Sequence, residues 1–292
     1  MTTKEGTVDP KVPSSLSQVG IVVKYEFENY FGSRRFYILL GITLLIGALL
    51  TVLVAHYRPQ SFLGSGSLGF YSSWWGRVVT FVVILSGIFF GGDAISAEFQ
   101  NRTGYFLIPN PLRRAAIYVG KWIAAFGASA IVFVVFLAIT LANGYYYFPS
   151  GVPSQFLESV GFSLLYLVAV LGFCFFFSSL FKSTAYSILV TAILLLFAFD
   201  FLQLLVSDLV MVEPWFILTY GSSIIGNVME QNATTGQASY PAHVITEKLG
   251  PRGLITLTTY NATIPEGLAI MVGYFVITAI IGLILFERKD FT

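Results

Sequence analysis

Long apolar runs alternate in this chain with short polar segments that carry most of the Lys and Arg residues. The clearest run covers residues 36–55, and residues 163–181 and 187–199 repeat it without a single charged side chain. The apolar core of a bilayer is about 30 Å thick, so about 20 helical residues cross it. Because lipid offers backbone groups no partner, such runs must form helices. The pattern therefore predicts an all-α polytopic membrane protein.

The composition excludes a soluble globular domain. Of the 292 residues, 56% are hydrophobic and 11% are charged, whereas a soluble domain carries about 25% charged residues. The formal net charge is only +1, so the chain has no overall field that would attract nucleic acid. We therefore expect membrane lipids, and not nucleic acid, to surround it.

We predict six membrane spans, separated by the polar segments. They cover residues 36–55, 76–95, 112–142, 158–181, 186–206 and 267–286. In the second span, Gly87 and Gly91 have the spacing that lets two helices pack closely, and we expect this packing to be within the chain.

Two segments precede the first span. Residues 1–13 are polar and hold two prolines, which predicts a disordered cytoplasmic tail. Residues 14–35 begin with a capping-box sequence at 15–18 and carry apolar residues at spacings of three and four, which predicts an amphipathic helix at the membrane interface. Residues 36–292 then form the six-helix transmembrane domain.

The distribution of positive charge predicts the orientation. Twelve of the 16 Lys and Arg residues fall on the side that holds both termini of a six-span chain. Positive residues are enriched in cytoplasmic loops, so we predict a multi-pass protein of the plasma membrane with both termini in the cytoplasm.

The last outer loop, residues 207–266, is much longer than the others. Its semi-apolar part predicts short re-entrant or interfacial helices instead of a full span. Asn232 and Asn261 each begin an Asn-Ala-Thr sequon in this loop, so both are candidates for glycosylation in a host that glycosylates.

Motifs for chemistry are missing from the sequence. Gly64 to Gly69 spell G-x-G-x-x-G, but they lie in an outer loop without the strand and helix that a nucleotide fold needs. The two histidines, His56 and His243, and the single Cys174 form no metal-ligand pattern. We expect no metal site, no catalytic residue and no disulfide, with Cys174 an inert packed thiol.

The segment between spans two and three has an unusual composition for a connector. Glu98 is followed by Arg102, and three aromatic residues stand beside these charges at Phe99, Tyr105 and Phe106. Aromatic residues together with Arg are typical of protein docking surfaces. The alternative from the residues alone is a solvated connector with basic membrane anchors.

This segment resembles the cytoplasmic loop of type-2 ABC transporter permeases. The matching residues are Ile95, Ser96, Glu98, Arg102, Thr103, Gly104, Leu107, Pro109, Arg113, Arg114, Gly120 and Lys121. The charged end at 286–290 and the amphipathic N-terminal helix are also similar to that family. The chain departs from the family in the order Thr-Gly and in the extra Asn110-Pro111, which bears on the docking geometry.

The resemblance implies a permease subunit of an exporter that forms its substrate pathway as a dimer, with a second copy or a homologous permease. A separate cytoplasmic ATPase dimer would bind Mg²⁺ and hydrolyse ATP, so this chain would need no cofactor and would not be an enzyme. Residues 96–111 would be the coupling loop. The ATPase-coupling residues would be Glu98, Arg102, Thr103, Gly104, Leu107, Pro109, Arg113 and Arg114.

Asp200 is a carboxylate inside the predicted fifth span. A charge there costs at least about 2.5 kcal/mol on insertion scales, so we expect Asp200 to face the bundle or a watery cavity, with Gln203 as a candidate partner. One interpretation is a substrate or cation contact in the pathway, and the other is an interhelical hydrogen bond. The spans are otherwise apolar, which favours an amphipathic or lipid-like substrate.

Two other classes of function remain open. A secondary transporter or channel would work without an ATPase, but it would usually carry more intramembrane charge and broken helices in two matching halves. A membrane scaffold or accessory subunit would bind partners without ATP-dependent transport.

Overall fold

The computed structural model describes residues 14–63, 66–76, 78–101, 113–149, 151–231, 238–249 and 255–289. Within these ranges, six helices are long and apolar enough to cross a membrane. The predicted all-α polytopic fold is therefore confirmed. We number these helices spans one to six: Arg34–Tyr57, Gly66–Gln100, Arg114–Tyr147, Ser154–Leu180, Thr184–Leu205 and Ile264–Arg288.

Spans two and five are not uniform helices. Span two consists of the helices Gly66–Tyr71, Val79–Gly91 and Ser96–Gln100, with a π-helical turn at Ser72–Gly76. Span five consists of the helices Thr184–Ile193 and Phe199–Leu205, with a π-helical turn at Leu194–Ala198 between them, and a second π-helical turn, Val206–Val210, follows the span. A further short helix, Gln60–Leu63, lies between spans one and two. We call Ser96–Gln100 the loop helix, because it leads into the predicted coupling loop.

The N-terminal helix, Ser15–Gly32, packs against the first half of span three. Two glycines of span three make room for it. A Cβ on Gly120 would lie 2.7 Å from Cβ of Val22, and a Cβ on Gly127 would lie 2.7 Å from Cε2 of Phe27. The helix is therefore held by a span as well as by any interface with lipid.

Span four lies at the centre of the bundle. Gly87 and Gly91 of span two face it, since a Cβ on Gly87 would lie 2.4 Å from Cγ1 of Val170 and one on Gly91 would lie 2.9 Å from Cβ of Cys174. The close packing predicted for these glycines is confirmed, and it is within the chain. Cys174 is fully buried at this contact, as expected of a packed thiol.

Two short helices, Leu218–Ser222 and Ile224–Asn227, lie in the last loop, as predicted. Ile224 and Ile225 are fully buried, and the Ser159 hydroxyl of span four donates to the Ile225 carbonyl at 2.6 Å. These contacts hold the second helix against the bundle.

The same loop contains an antiparallel hairpin of β1, Val244–Leu249, and β2, Ile255–Tyr260, in which Val244 pairs with Tyr260. The prediction of helices alone for this loop was incomplete. Both strands are rich in β-branched residues, and Gly-Pro-Arg-Gly stands between them, which is a hairpin signal.

Candidate functional site

The structure describes three of the eight predicted ATPase-coupling residues: Glu98, Arg113 and Arg114. The other five, namely Arg102, Thr103, Gly104, Leu107 and Pro109, lie outside the described residues. What the structure shows is therefore how both ends of the coupling loop are held. They meet at the end of the bundle that also holds the N-terminal helix and the end of span six, which we call the terminal face.

An ion cluster joins three elements at the terminal face. Lys121 of span three has a side chain that is only 8% exposed, and its Nζ pairs with the carboxylates of Glu26 and Glu98. The distance from Nζ to Oε1 of Glu98 is 2.8 Å. Because Glu26 belongs to the N-terminal helix and Glu98 to the loop helix, one buried ammonium ties both helices to span three.

A second ion pair lies beside this cluster. Arg35, in the first turn of span one, pairs with Asp93, whose side chain is 11% exposed and stands just before the loop helix. The Tyr30 hydroxyl donates to the Phe90 carbonyl at 2.9 Å. Burial raises the pKa of Tyr30 well above its usual value, and the charges of Glu26 and Asp93 add to this effect.

The Lys121 cluster and the Arg35–Asp93 pair line a polar cleft of about 330 Å³ between the N-terminal helix and the loop helix. Its walls carry charges of both signs that are already paired with each other. The cleft is therefore suited to holding helices in register, and its paired charges leave it poorly suited to binding an ion.

Side chains of spans four and five hold the loop helix at both ends. Ser178 Oγ accepts hydrogen bonds from the backbone N–H groups of Ile95 and Ser96, at 2.9 and 3.0 Å. Gln100 Oε1 accepts from the backbone N–H and the hydroxyl of Thr184, both at 2.7 Å. Gln100 thereby satisfies a donor that the first turn of span five leaves free. These contacts could not be predicted from the sequence, because nothing in a serine or glutamine shows which distant helix it will meet.

The end of span six is fastened to the same region. Lys289 Nζ donates to the carbonyls of Ser179, Leu180 and Phe181 at 2.8, 3.2 and 2.9 Å. These carbonyls end span four, where a cation is favourable. Lys289 Nζ also lies 4.4 Å from the centre of the Phe99 ring of the loop helix.

Lys289 has an altered pKa at this position. Burial, and secondarily the charge of Lys182, lower the pKa of Lys289 to about 8.

The start of span three adds two further links. Arg114 Nη1 donates to the carbonyls of Glu287 and Lys289, at 2.8 and 3.0 Å. The backbone N–H of Arg113 donates to Gln18 Oε1 at 3.0 Å. The end of the coupling loop at span three is thus connected to the N-terminal helix and to the end of span six.

A second cavity lies at the opposite end of the bundle, which we call the far face. It measures about 330 Å³ and lies between the end of span five and the hairpin. The lining residues are Asp200, Gln203, Leu204, Ser207, Thr258, Thr259 and Tyr260. Both residues predicted for the substrate pathway are therefore in one cavity, and Gln203 Oε1 also accepts a hydrogen bond from the Thr219 hydroxyl at 3.3 Å.

Of the two sequons, the structure describes only Asn261, since Asn232 lies outside the described residues. Asn261 stands between β2 and span six. Its side-chain amide donates to the Ala242 carbonyl at 2.9 Å, so the nitrogen that a glycan would modify is engaged in a hydrogen bond.

A family model described as "ABC-2 family transporter protein" matches residues 20–291, which include all six spans. No curated protein matches the chain closely enough to count as a relative.

Proposed function

Because the chain belongs to the ABC-2 transporter family and is a permease subunit of an ABC transporter, we propose that it is the subunit of an exporter driven by a separate ATPase dimer. The ATPase subunits would bind at the coupling loop, residues 96–111, on the cytoplasmic side of the plasma membrane. Both termini lie on that side in this proposal, in agreement with the excess of Lys and Arg there.

The observation that carries the proposal is the attachment of the loop helix. Glu98 is bound to Lys121 of span three, Ser178 of span four holds the start of the loop helix, and Thr184 of span five holds its end. A force applied to the coupling loop would therefore reach three spans through hydrogen-bonded contacts. A solvated connector would have no need of such attachments.

The exposed spans support a dimer. In the most apolar 18-residue stretch of each span, the share of residues buried within the chain is 72% for span two. It is only 22% for span one, 11% for span five and 17% for span six. Apolar surface of this extent must meet lipid or protein. We place a second copy, or a homologous permease, against part of it, so that the substrate pathway would lie between the two subunits.

The far-face cavity supports an amphipathic or lipid-like substrate. Asp200 and Gln203 offer polar groups next to the apolar Leu204 in one cavity, and the exposed apolar side chains Phe197 and Phe201 flank Asp200 on the same span. Such a mixture suits a molecule with a polar head and an apolar body.

Proteoliposomes that hold the chain and its ATPase would test this proposal. We expect ATP-dependent movement of a fluorescent phospholipid or an amphipathic dye, and we expect Asp200→Asn to change its rate while reconstitution is unaffected. Glu158→Gln is the matched control, because Glu158 is an exposed carboxylate at the start of span four and is not one of the residues that line the cavity. Movement that needs no ATP would support a secondary transporter or channel instead, and transport of small hydrophilic ions alone would contradict the proposed substrate class.

A further inference from the structure

Three side chains with metal-binding atoms meet at the far face, although they come from separate parts of the chain. Glu213 follows span five, His243 directly precedes β1, and Glu266 lies in the first turn of span six. Their possible ligand atoms all lie within 4.8 Å of one another. Nε2 of His243 is 3.5 Å from Oε2 of Glu213, and its Nδ1 is 3.9 Å from Oε2 of Glu266.

The histidine is oriented by a contact outside the cluster. Nδ1 of His243 lies 2.9 Å from the carbonyl oxygen of Asn261. A carbonyl only accepts hydrogen bonds, so Nδ1 carries the proton and the lone pair is on Nε2, which faces Glu213. Ligating histidines are commonly fixed in this way by a backbone carbonyl.

Both carboxylates are held in a similar manner. Oε1 of Glu213 accepts a hydrogen bond from the Tyr220 hydroxyl at 2.6 Å, which leaves Oε2 directed at His243. Oε2 of Glu266 accepts from the backbone N–H of Thr263 at 2.9 Å, which fixes the carboxylate at the start of span six. Each of the three side chains is thus positioned by a hydrogen bond to a group outside the cluster.

Charge favours a cation at this position. The two carboxylates carry two negative charges, and a protonated His243 would balance only one of them. A divalent cation would balance both. The exposed fractions of the side chains are 40% for His243, 26% for Glu213 and 40% for Glu266, so an ion can enter from solvent.

We propose that Glu213, His243 and Glu266 bind one divalent transition-metal ion at the far face. Imidazole together with carboxylates suits Zn²⁺ and its neighbours, whereas Mg²⁺ and Ca²⁺ prefer oxygen alone. Ligand atoms in a tetrahedral zinc site are about 3.4 Å apart, close to the 3.5 Å between His243 and Glu213. The sequence predicted no metal site, because these ligands have no motif spacing and meet only through the fold.

The bound ion would fix the hairpin in place. It would join the start of β1 to the segment that follows span five and to the start of span six. Tyr260 of β2 already donates its hydroxyl to the Met211 carbonyl at 2.7 Å, and Tyr260 lines the Asp200 cavity. Metal binding would therefore hold the hairpin over this cavity.

Zinc titration of the purified full chain tests the proposal. The chain would be stripped with a chelator in detergent, then titrated with Zn²⁺ against a fluorescent indicator, with Mg²⁺ and Ca²⁺ in parallel. We expect one Zn²⁺ per chain, and no competition from Mg²⁺ or Ca²⁺ at equal concentration. We also expect Zn²⁺ to raise the melting temperature of the chain.

The second histidine provides a matched control, since the chain has only His56 and His243. His243→Ala should lose the stoichiometric Zn²⁺ and the thermal shift, whereas His56→Ala should keep both. Tyr220→Phe removes only the hydroxyl that holds Glu213, and it should weaken binding about 10- to 100-fold, as is typical for such outer contacts.

Two results would overturn the proposal. One is equal Zn²⁺ binding by the wild type and His243→Ala. The other is a wild-type chain that binds none of the ions Zn²⁺, Mn²⁺ and Co²⁺. The cluster would then serve only as an ion pair between His243 and the carboxylates of Glu213 and Glu266. If His243→Ala does not fold, Glu213→Gln and Tyr220→Phe give the same test.

Discussion

Lys121 is the residue on which the terminal face depends most, because the carboxylates of Glu26 and Glu98 share its charge. Lys121→Met would remove the ammonium that two partly buried carboxylates share. Loss of one partner from a buried ion pair costs about 3–5 kcal/mol, and we expect a loss of this order in the free energy of unfolding, measured by denaturation in mixed micelles.

Lys24→Met is the control for this substitution. Lys24 lies on the same N-terminal helix but is exposed, so its replacement should change stability by no more than about 0.5 kcal/mol. The triple variant Glu26→Gln, Glu98→Gln and Lys121→Met removes all three charges and should recover most of the loss. Equal stability of the two single variants would argue against a structural ion cluster.

Lys289 should titrate far below an ordinary lysine. Burial disfavours its charged form and Lys182 repels it, so the pKa of Lys289 is lowered to about 8. Below this pH the ammonium is charged and donates to the carbonyls that end span four, and as pH rises through about 8 it loses its proton. Carbon-13 NMR of the dimethylated lysine should show a midpoint near pH 8, and Lys182→Gln should raise it. A midpoint near 10.5 in both proteins would contradict the burial of Lys289.

The loop helix is the element whose contacts bear most directly on coupling. Glu98→Ala would detach this helix from Lys121, and Arg102→Ala would remove a docking side chain of the type that dominates interfaces. We expect each variant to bind the ATPase about tenfold more weakly, with unchanged membrane insertion, in a pull-down from detergent. Glu28→Ala, an exposed carboxylate of the N-terminal helix, should bind as the wild type does. Normal binding by both loop variants would count against the coupling assignment.

The elements differ in how far the sequence could predict them. The six spans followed from hydropathy, because the cost of exposing polar backbone to lipid leaves few alternatives. The π-helical turn at Leu194–Ala198 could not be predicted, since the residues there are uniformly apolar and show no change of period. The hairpin of 244–249 and 255–260 carried a signal in its β-branched residues, but only helices were predicted for the long loop.

The candidate sites were harder to predict than the spans, because they depend on contacts between distant residues. Glu98 was selected from a local motif as an ATPase-coupling residue, and the structure places its carboxylate on Lys121 within the chain. Spacing along the chain does not indicate which helix will pack beside Glu98. For the same reason, the sequence did not show that Glu213, His243 and Glu266 come together in the fold.

The orientation of the chain in the membrane can be tested by labelling single cysteines. The only cysteine, Cys174, is fully buried, so we expect the wild type to resist a membrane-impermeant maleimide. Ser239→Cys, exposed at the far face, should be labelled in intact cells, whereas Ser15→Cys, exposed at the terminal face, should be labelled only after lysis. The reverse pattern would place both termini outside the cell.

Dependence on a separate ATPase is the central claim, and purification of the chain from its native host in mild detergent tests it most directly. Mass spectrometry of the proteins that accompany the chain should then find a soluble ATPase with a nucleotide-binding motif. Crosslinking in intact cells beforehand guards against loss of a weakly held partner. Repeated recovery of the chain without any ATPase after such crosslinking would contradict the account and indicate a transporter that works alone.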